Sequence, residues 1–189
     1  MAASSQRVIY NTATSLDGHI ADSDNSLGWL FAVVPDEPTN ARQAGFMADV
    51  GVMVEGSTTY EWVLAEADLL AQPQRWQEFY GQRPTFVFTT RELPPVPGAD
   101  IRFVRGPVLE ALPDIRAAAG GRNVWVVGGG DLAGQFLDIG ALDEVAVSLA
   151  PVTLGSGAPL LPRRLESDRL RLVSATVDGQ FVHAVYSVS

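Results

Sequence analysis

The stretch Val124-Trp125-Val126-Val127-Gly128-Gly129-Gly130-Asp131 decides the fold. Four apolar, β-prone residues run into three glycines and then an acidic helix start. A strand without polar alternation is covered on both faces. The sheet around it is therefore mostly parallel, with helices on either side. Two readings of the glycines stay open. They let the backbone approach an anion held by the free N–H groups of the helix N-terminus, or they serve only a tight turn. The pattern is a bare triple glycine, because position 133 is Ala133 and no third glycine of a GxGxxG stands there.

Outward from this point, strands alternate with helices. Residues 8–13 read as a first strand ending in a loop at Asp17-Gly18. Residues 21–38 show no period and are long for a connection. A helix is expected from Thr39, a buried strand at 50–54, and a second helix from Gly56-Ser57-Thr58-Thr59. Strands follow at 85–89 and 101–104, then a helix ending at Ala119 with Pro113 in its first turn. The helix from Asp131 turns Leu132, Phe136, Leu137 and Ile139 inward and stops at Gly140. After a strand at 145–149, residues 170–177 and 181–188 alternate around Asp178-Gly179, which signals a closing hairpin. The expectation is one α/β domain of three layers, a mostly parallel central sheet with an antiparallel C-terminal hairpin.

Composition excludes several chemistries. The 189 residues hold 13 basic side chains, all Arg, against 22 acidic ones, for a net charge of −9. That balance argues against nucleic-acid or anionic-membrane surfaces. Without Cys there is no thiolate nucleophile or Cys-ligated zinc, and without Lys no Schiff base. His19 and His183 cannot supply a three-His metal site. No apolar run reaches the ~18 residues of a membrane span, and the N-terminus lacks a signal-peptide core. The expectation is a cytoplasmic protein without a metal.

Other strand ends carry candidate ligand groups. Ser57, Thr58 and Thr59 either cap a helix or bind phosphate oxygens. Arg91 beside Thr89 and Thr90 either grips a phosphate or sits in a solvated turn. Ligands of α/β sheets collect at the carboxyl ends of strands, so these segments would face one site. Trp29, in the long connection, is a ring that could stack on a flat ligand.

Ser15-Leu16-Asp17-Gly18, Gly56-x-Thr58-Thr59-Tyr60, Val127-Gly128-Gly129-Gly130, Leu142-Asp143-Glu144-Val145 and the run from Ala150 to Leu160 follow one another in a familiar order. The chain resembles the dihydrofolate reductase-like superfamily, in particular the reductase domain of riboflavin-biosynthesis deaminase–reductases and its stand-alone relatives, from about residue 7 to residue 188. The resemblance implies a twisted central sheet, a homodimer and NADPH lying across the strand ends. It implies that Gly128, Gly129, Gly130 and Asp131 hold the cofactor diphosphate, and that Gly56, Thr58 and Thr59 help hold its phosphates. Thr89, Thr90 and Arg91 would cradle the adenosine end, while Ala13, Thr14, Asp17 and Ile20 would border the nicotinamide.

Three departures shape the expected chemistry. Ser57 stands where the family often has Arg, leaving Arg91 for the 2′-phosphate. Asn40 stands near the position where dihydrofolate reductases keep a carboxylate, with Asp36 and Glu37 beside it, which argues against true dihydrofolate reductase activity. A deaminase half is not expected, since zero Cys excludes its zinc site. The expectation is a hydride transfer from NADPH to a small polar heterocyclic or sugar-derived substrate. Asp17 would orient substrate or relay a proton, and Trp29 and Asn40 would contact substrate. Arg42 is the nearby cation for a ribose phosphate. A non-catalytic dinucleotide-binding dimer remains the alternative.

Overall fold

A computed structural model describes residues 6–34 and 37–189; Asp36, named above, lies outside them. The elements in chain order are β1 (Val8–Thr14), β2 (His19–Ala21), α1 (Gly28–Phe31), α2 (Glu37–Asp49), β3 (Val50–Gly56), α3 (Ser57–Glu66), α4 (Gln74–Tyr80), β4 (Thr85–Phe88) and β5 (Ile101–Val104). Then come α5 (Val108–Ala118), β6 (Asn123–Gly128), α6 (Gly130–Asp138), β7 (Glu144–Leu149), β8 (Ala158–Pro159), β9 (Leu170–Asp178) and β10 (Phe181–Val188).

Eight strands form one sheet in the order β5-β4-β3-β6-β1-β7-β10-β9. The pairs from β5 through β7 are parallel, and β10 is antiparallel to both β7 and β9. The fold expected from the glycine-ended strand is thus present. Its reason is visible in the central strands, where Val52, Val54, Val124, Val126, Val8 and Tyr10 are buried. On one face these pack with Val108 and Ile115 of α5 and Leu132, Phe136 and Leu137 of α6. On the other face Met53 and Trp125 pack with Phe46 and Met47 of α2 and Tyr80 of α4. Arg83 ties that second layer together, donating to the carbonyls of Met47, Val50 and Tyr80 at 2.6, 3.0 and 2.7 Å. A guanidinium at helix ends satisfies carbonyls that the helix itself cannot.

The structure corrects several boundaries. The unpatterned connection contains α1, and α2 starts at Glu37 rather than Thr39. α4 and the two-stranded sheet β2–β8 were not expected. Pro113 sits inside α5 and not in its first turn. An interior proline costs about 3 kcal/mol in an isolated helix; here Val108 and Ile115, buried on either side of it, hold the helix to the sheet. The hairpin closes on the pair Asp178–Phe181, so its loop is Gly179-Gln180, with Gly179 at φ +58°. β10 buries Phe181 and Ala184, but β9, the edge strand beyond it, is exposed along most of its length.

Candidate active site

A cleft of about 980 Å³ opens where β1, β3 and β6 end, at the upper limit of the ~300–1,000 Å³ usual for small-molecule sites. Two helices begin on its wall. α3 follows β3 with Gly56 as N-cap, and α6 follows β6 with Gly129 as N-cap. Neither start is closed by a side-chain cap. The first N–H groups of a helix lack intrahelical partners and carry the positive end of its dipole. Two such ends on adjacent parallel strands make an anion cradle. Ser57, Thr58 and Thr59 are therefore not caps; they line the cleft as helix residues beside that cradle.

The three glycines do different work. A Cβ on Gly130 would overlap the carbonyl oxygens of Pro159 and Leu160, so this position is glycine for the fold. A Cβ on Gly128 would press on Thr59 Oγ1 at 3.0 Å. One on Gly129 would meet only Ile20 Cδ1, at 3.9 Å. All three line the cleft, and Gly129 is the one at which an added side chain would meet no close neighbour in the protein; the peptide joining it to Gly128 is cis.

Ala13, Ile20, Asn40, Gly56, Thr58, Thr59, Gly128, Gly129, Gly130 and Asp131 all reach the cleft. Thr14, Asp17, Trp29, Thr89, Thr90 and Arg91 do not. Thr14 is buried, donating to the carbonyls of Ser15 and His19 at 3.2 Å. Asp17 clasps the loop after β7. Its carboxylate accepts from Gly155 N–H at 2.6 Å and Leu154 N–H at 3.1 Å, and from Ser15 Oγ at 2.5 Å. The Ser15 hydroxyl, followed by these two backbone donors, holds the Asp17 carboxyl well below the usual carboxylate range. It stays ionised at neutral pH and has no proton to deliver. Asp17→Asn is expected to lower the melting temperature, because the carboxylate clasps two backbone N–H groups of the loop after β7; an unchanged thermal melt would mean that this clasp does not hold the loop.

Trp29 gives way to Phe31 as the ring that α1 turns to the cleft; the four-residue helix rotates the two side chains about 200° apart. Arg91 is held by Glu61, with guanidinium-to-carboxylate distances of 2.8 and 2.5 Å, and its own N–H donates to Thr89 Oγ1 at 2.9 Å. Asp131 accepts from Gln135 Nε2 and Arg163 Nη1, both at 3.0 Å. Those bonds, Gln135 first, keep its carboxyl below the ordinary range.

Sequence reasoning missed the polar floor of the cleft. Ser148 on β7 pairs in register with Ala13 on β1 and His183 on β10, so the three share one face. Ser148 Oγ lies 3.1 Å from His183 Nδ1. Burial, and then the Arg42 charge, push the imidazole down to about 4, so it is neutral at pH 7. Arg42 on α2 is ion-paired with Asp178 at the end of β9. A smaller cavity of about 400 Å³ lies behind, sharing Asn11, Arg42, Gln43 and Ser148 with the cleft. The available signal was a polar residue interrupting each of two apolar strands. Among the described residues no cluster of three or more His, Asp or Glu could hold a metal ion, and no helix is long and apolar enough to cross a membrane.

The family model described as the RibD C-terminal domain matches residues 6–184. The chain is 28% identical over 184 residues to the uncharacterised protein YwjB of Bacillus subtilis, covering 96% of this chain and 97% of that one. A candidate riboflavin biosynthesis protein of Shewanella sp. PV-4 superposes with a TM-score of 0.75 at 24% identity, over 96% of this chain and 98% of that one. The Thermotoga maritima diaminohydroxyphosphoribosylaminopyrimidine deaminase/5-amino-6-(5-phosphoribosylamino)uracil reductase superposes with a TM-score of 0.67 at 14% identity. The match spans 98% of this chain and 57% of that longer one. At these identities the likeness to both structures is one of fold.

Proposed function

Because the chain belongs to the RibD C-terminal domain family, we propose that it is a reductase of the riboflavin-pathway type, using NADPH. The observation that carries this reading is the pair of uncapped, glycine-opened helix starts converging on one cleft. Their free N–H groups suit a diphosphate, and the bare backbone at Gly129 leaves room for close approach. NADPH, when bound, supplies the hydride, and an electrophilic C=N or C=O carbon of a small heterocyclic or sugar-derived substrate receives it. The protein holds the diphosphate at Gly56, Thr58, Thr59 and Gly128–Asp131, borders the reacting ring with Ala13 and Ile20, and excludes water. Titration of the purified protein with NADPH and with NADH, followed by tryptophan quenching, tests the reading. Saturable binding is expected, and its absence for both nucleotides overturns the assignment.

Preference for NADPH would rest on Arg91, which must exchange Glu61 for the 2′-phosphate. The pair is half exposed, and such pairs contribute only about 0–1 kcal/mol. Glu61→Gln is therefore expected to tighten NADPH binding without changing NADH, and Arg91→Ala to weaken NADPH alone. Equal effects on the two nucleotides would remove Arg91 from the 2′-phosphate.

A homodimer belongs to the same proposal. β9 is an open edge strand carrying exposed Leu172, Val173 and Val177, beside exposed Val182 on β10. Long apolar edges are normally covered or charged, and a second copy fits this one. Sedimentation at micromolar concentration should give a dimer, and Val177→Lys a monomer. A monomeric wild type would sink the idea.

A further inference from the structure

We infer that the substrate end of the cleft takes an uncharged, flat ring compound and discriminates against its phosphate ester, because aromatic faces line its mouth and its one guanidinium is already neutralised by a carboxylate. The inference rests on the reading of the cleft as a reductase site and narrows its substrate class.

The ring surfaces come from three elements. Phe31 of α1 and Trp62 of α3 lie with ring planes 10° apart and centroids 5.9 Å apart, and both line the cleft. Phe79 of α4 lines it as well. Phe31 and Phe79 remain 60% and 52% exposed. Apolar area left in water at a cleft mouth gains roughly 25 cal/mol per Å² when a ligand covers it. A flat ring covers parallel aromatic faces with the least loss of polar hydration.

The charge inventory points the same way. All thirteen cationic side chains are Arg and lie among the described residues. Of these only Arg42 lines the cleft. Its guanidinium is held against the Asp178 carboxylate. Asp131, the acidic residue on the cleft wall, is matched by Arg163. The two helix starts that favour anions flank the glycine turn, where the proposed function puts the cofactor diphosphate. A phosphate dianion carried to the floor would lose hydration and meet a cation whose charge is already balanced, so it gains little in return. Asn11, Gln43 and Ser148, by contrast, offer uncharged donors and acceptors. Ser148 is backed by a neutral His183 at 3.1 Å. Such a floor suits the carbonyl and N–H edge of a heterocycle.

Riboflavin and its 5′-phosphate, FMN, are a matched probe pair. They share a planar ring and a ribityl chain and differ by one phosphate. Each is titrated into the full-length protein, alone and with saturating NADPH, by flavin fluorescence. Riboflavin is expected to bind in both conditions, with FMN at least about tenfold weaker. Phe31→Ala and Trp62→Ala should each weaken riboflavin several-fold with circular dichroism spectra unchanged. Asp178→Asn, which releases the Arg42 charge, should raise FMN affinity and narrow the ratio. The inference is overturned if FMN binds as tightly as riboflavin, if riboflavin does not bind saturably, if NADPH displaces it, or if Phe31→Ala alters only the sedimentation of the protein. A protein that failed to bind NADPH would lose the reductase reading, while the ratio of the two flavins would still be read on its own.

Discussion

Gly130→Ala is expected to cost the protein much of its stability, while Gly129→Ala, one residue earlier, leaves the melting temperature near wild type and abolishes NADPH binding. The contrast follows from what each added methyl would meet. At position 130 it would overlap two backbone carbonyl oxygens, those of Pro159 and Leu160. That segment cannot easily withdraw, because Leu160 donates its N–H to Gly18 O at 2.9 Å and accepts from Tyr10 Oη at 2.9 Å. Overpacking of a rigid interior costs about 1–3 kcal/mol, and backbone neighbours place this site at the upper end. At position 129 the methyl has 3.9 Å to its nearest neighbour. The backbone there has φ −90° and ψ −177°, which alanine adopts freely. The methyl would stand instead where the proposed cofactor's diphosphate would approach the helix start. Thermal melts and NADPH titrations of the two variants decide the matter. Unchanged NADPH affinity in Gly129→Ala would mean that the turn does not hold the cofactor.

Glu55→Gln is expected to remove a loss of stability that the wild type suffers on alkaline titration. Glu55 is 1% exposed beneath α3 and α4, and its Oε1 has no hydrogen-bond partner. Burial pushes its carboxyl up to about 8. The folded state therefore keeps a proton that the unfolded chain releases near pH 4.5, and stability falls by about 1.4 kcal/mol per pH unit until the folded carboxyl has ionised. His183 acts with the opposite sign. Its imidazole is pushed down to about 4, so the unfolded chain holds the extra proton up to about pH 6.5 and stability rises with pH there. The two slopes offset each other below pH 6.5, and the decline emerges between about 6.5 and 8. Urea unfolding at pH 5, 7 and 9 should show the decline in the wild type and not in Glu55→Gln. Parallel pH profiles would mean that Glu55 is ionised in the folded protein. The residue precedes Gly56, the N-cap of α3. Its ionisation should therefore also weaken NADPH binding above pH 8.

The sheet was legible because its signal is local. Apolar runs at 50–54 and 124–127 are strands wherever they pack, and the glycines after residue 127 can only end one. The helix starts at Ser57 and, one residue late at Asp131, after the glycines could be read the same way. β2 and β8 could not be foreseen, since two or three residues become a strand only by pairing with each other across the chain. α4 carries Trp76 into a cluster with Tyr60 and Leu69, a partnership that no period within 74–80 reveals. Pro113 misled for the converse reason: its helix is held by burial and not by propensity.

The candidate site divides along the same line. The glycine turn and the Gly56–Thr59 start were named from sequence, because a strand end, a bare backbone and a helix start are written in consecutive residues. Asp17 and Arg91 were named for their chemistry and are engaged elsewhere, by the N–H groups of Leu154 and Gly155 and by Glu61. Ser148 and His183 looked like ordinary strand residues, and Asp178 like part of a hairpin turn, until the register set Ser148 beside His183 and the end of β9 met Arg42 on α2. Sequence alone therefore determined the layers, the strand ends and the glycine turn between β6 and α6, all of which depend on local periodicity and backbone freedom. Tertiary structure alone decided which charges are already neutralised and which rings face the cleft, because both depend on partners that lie far apart in the chain.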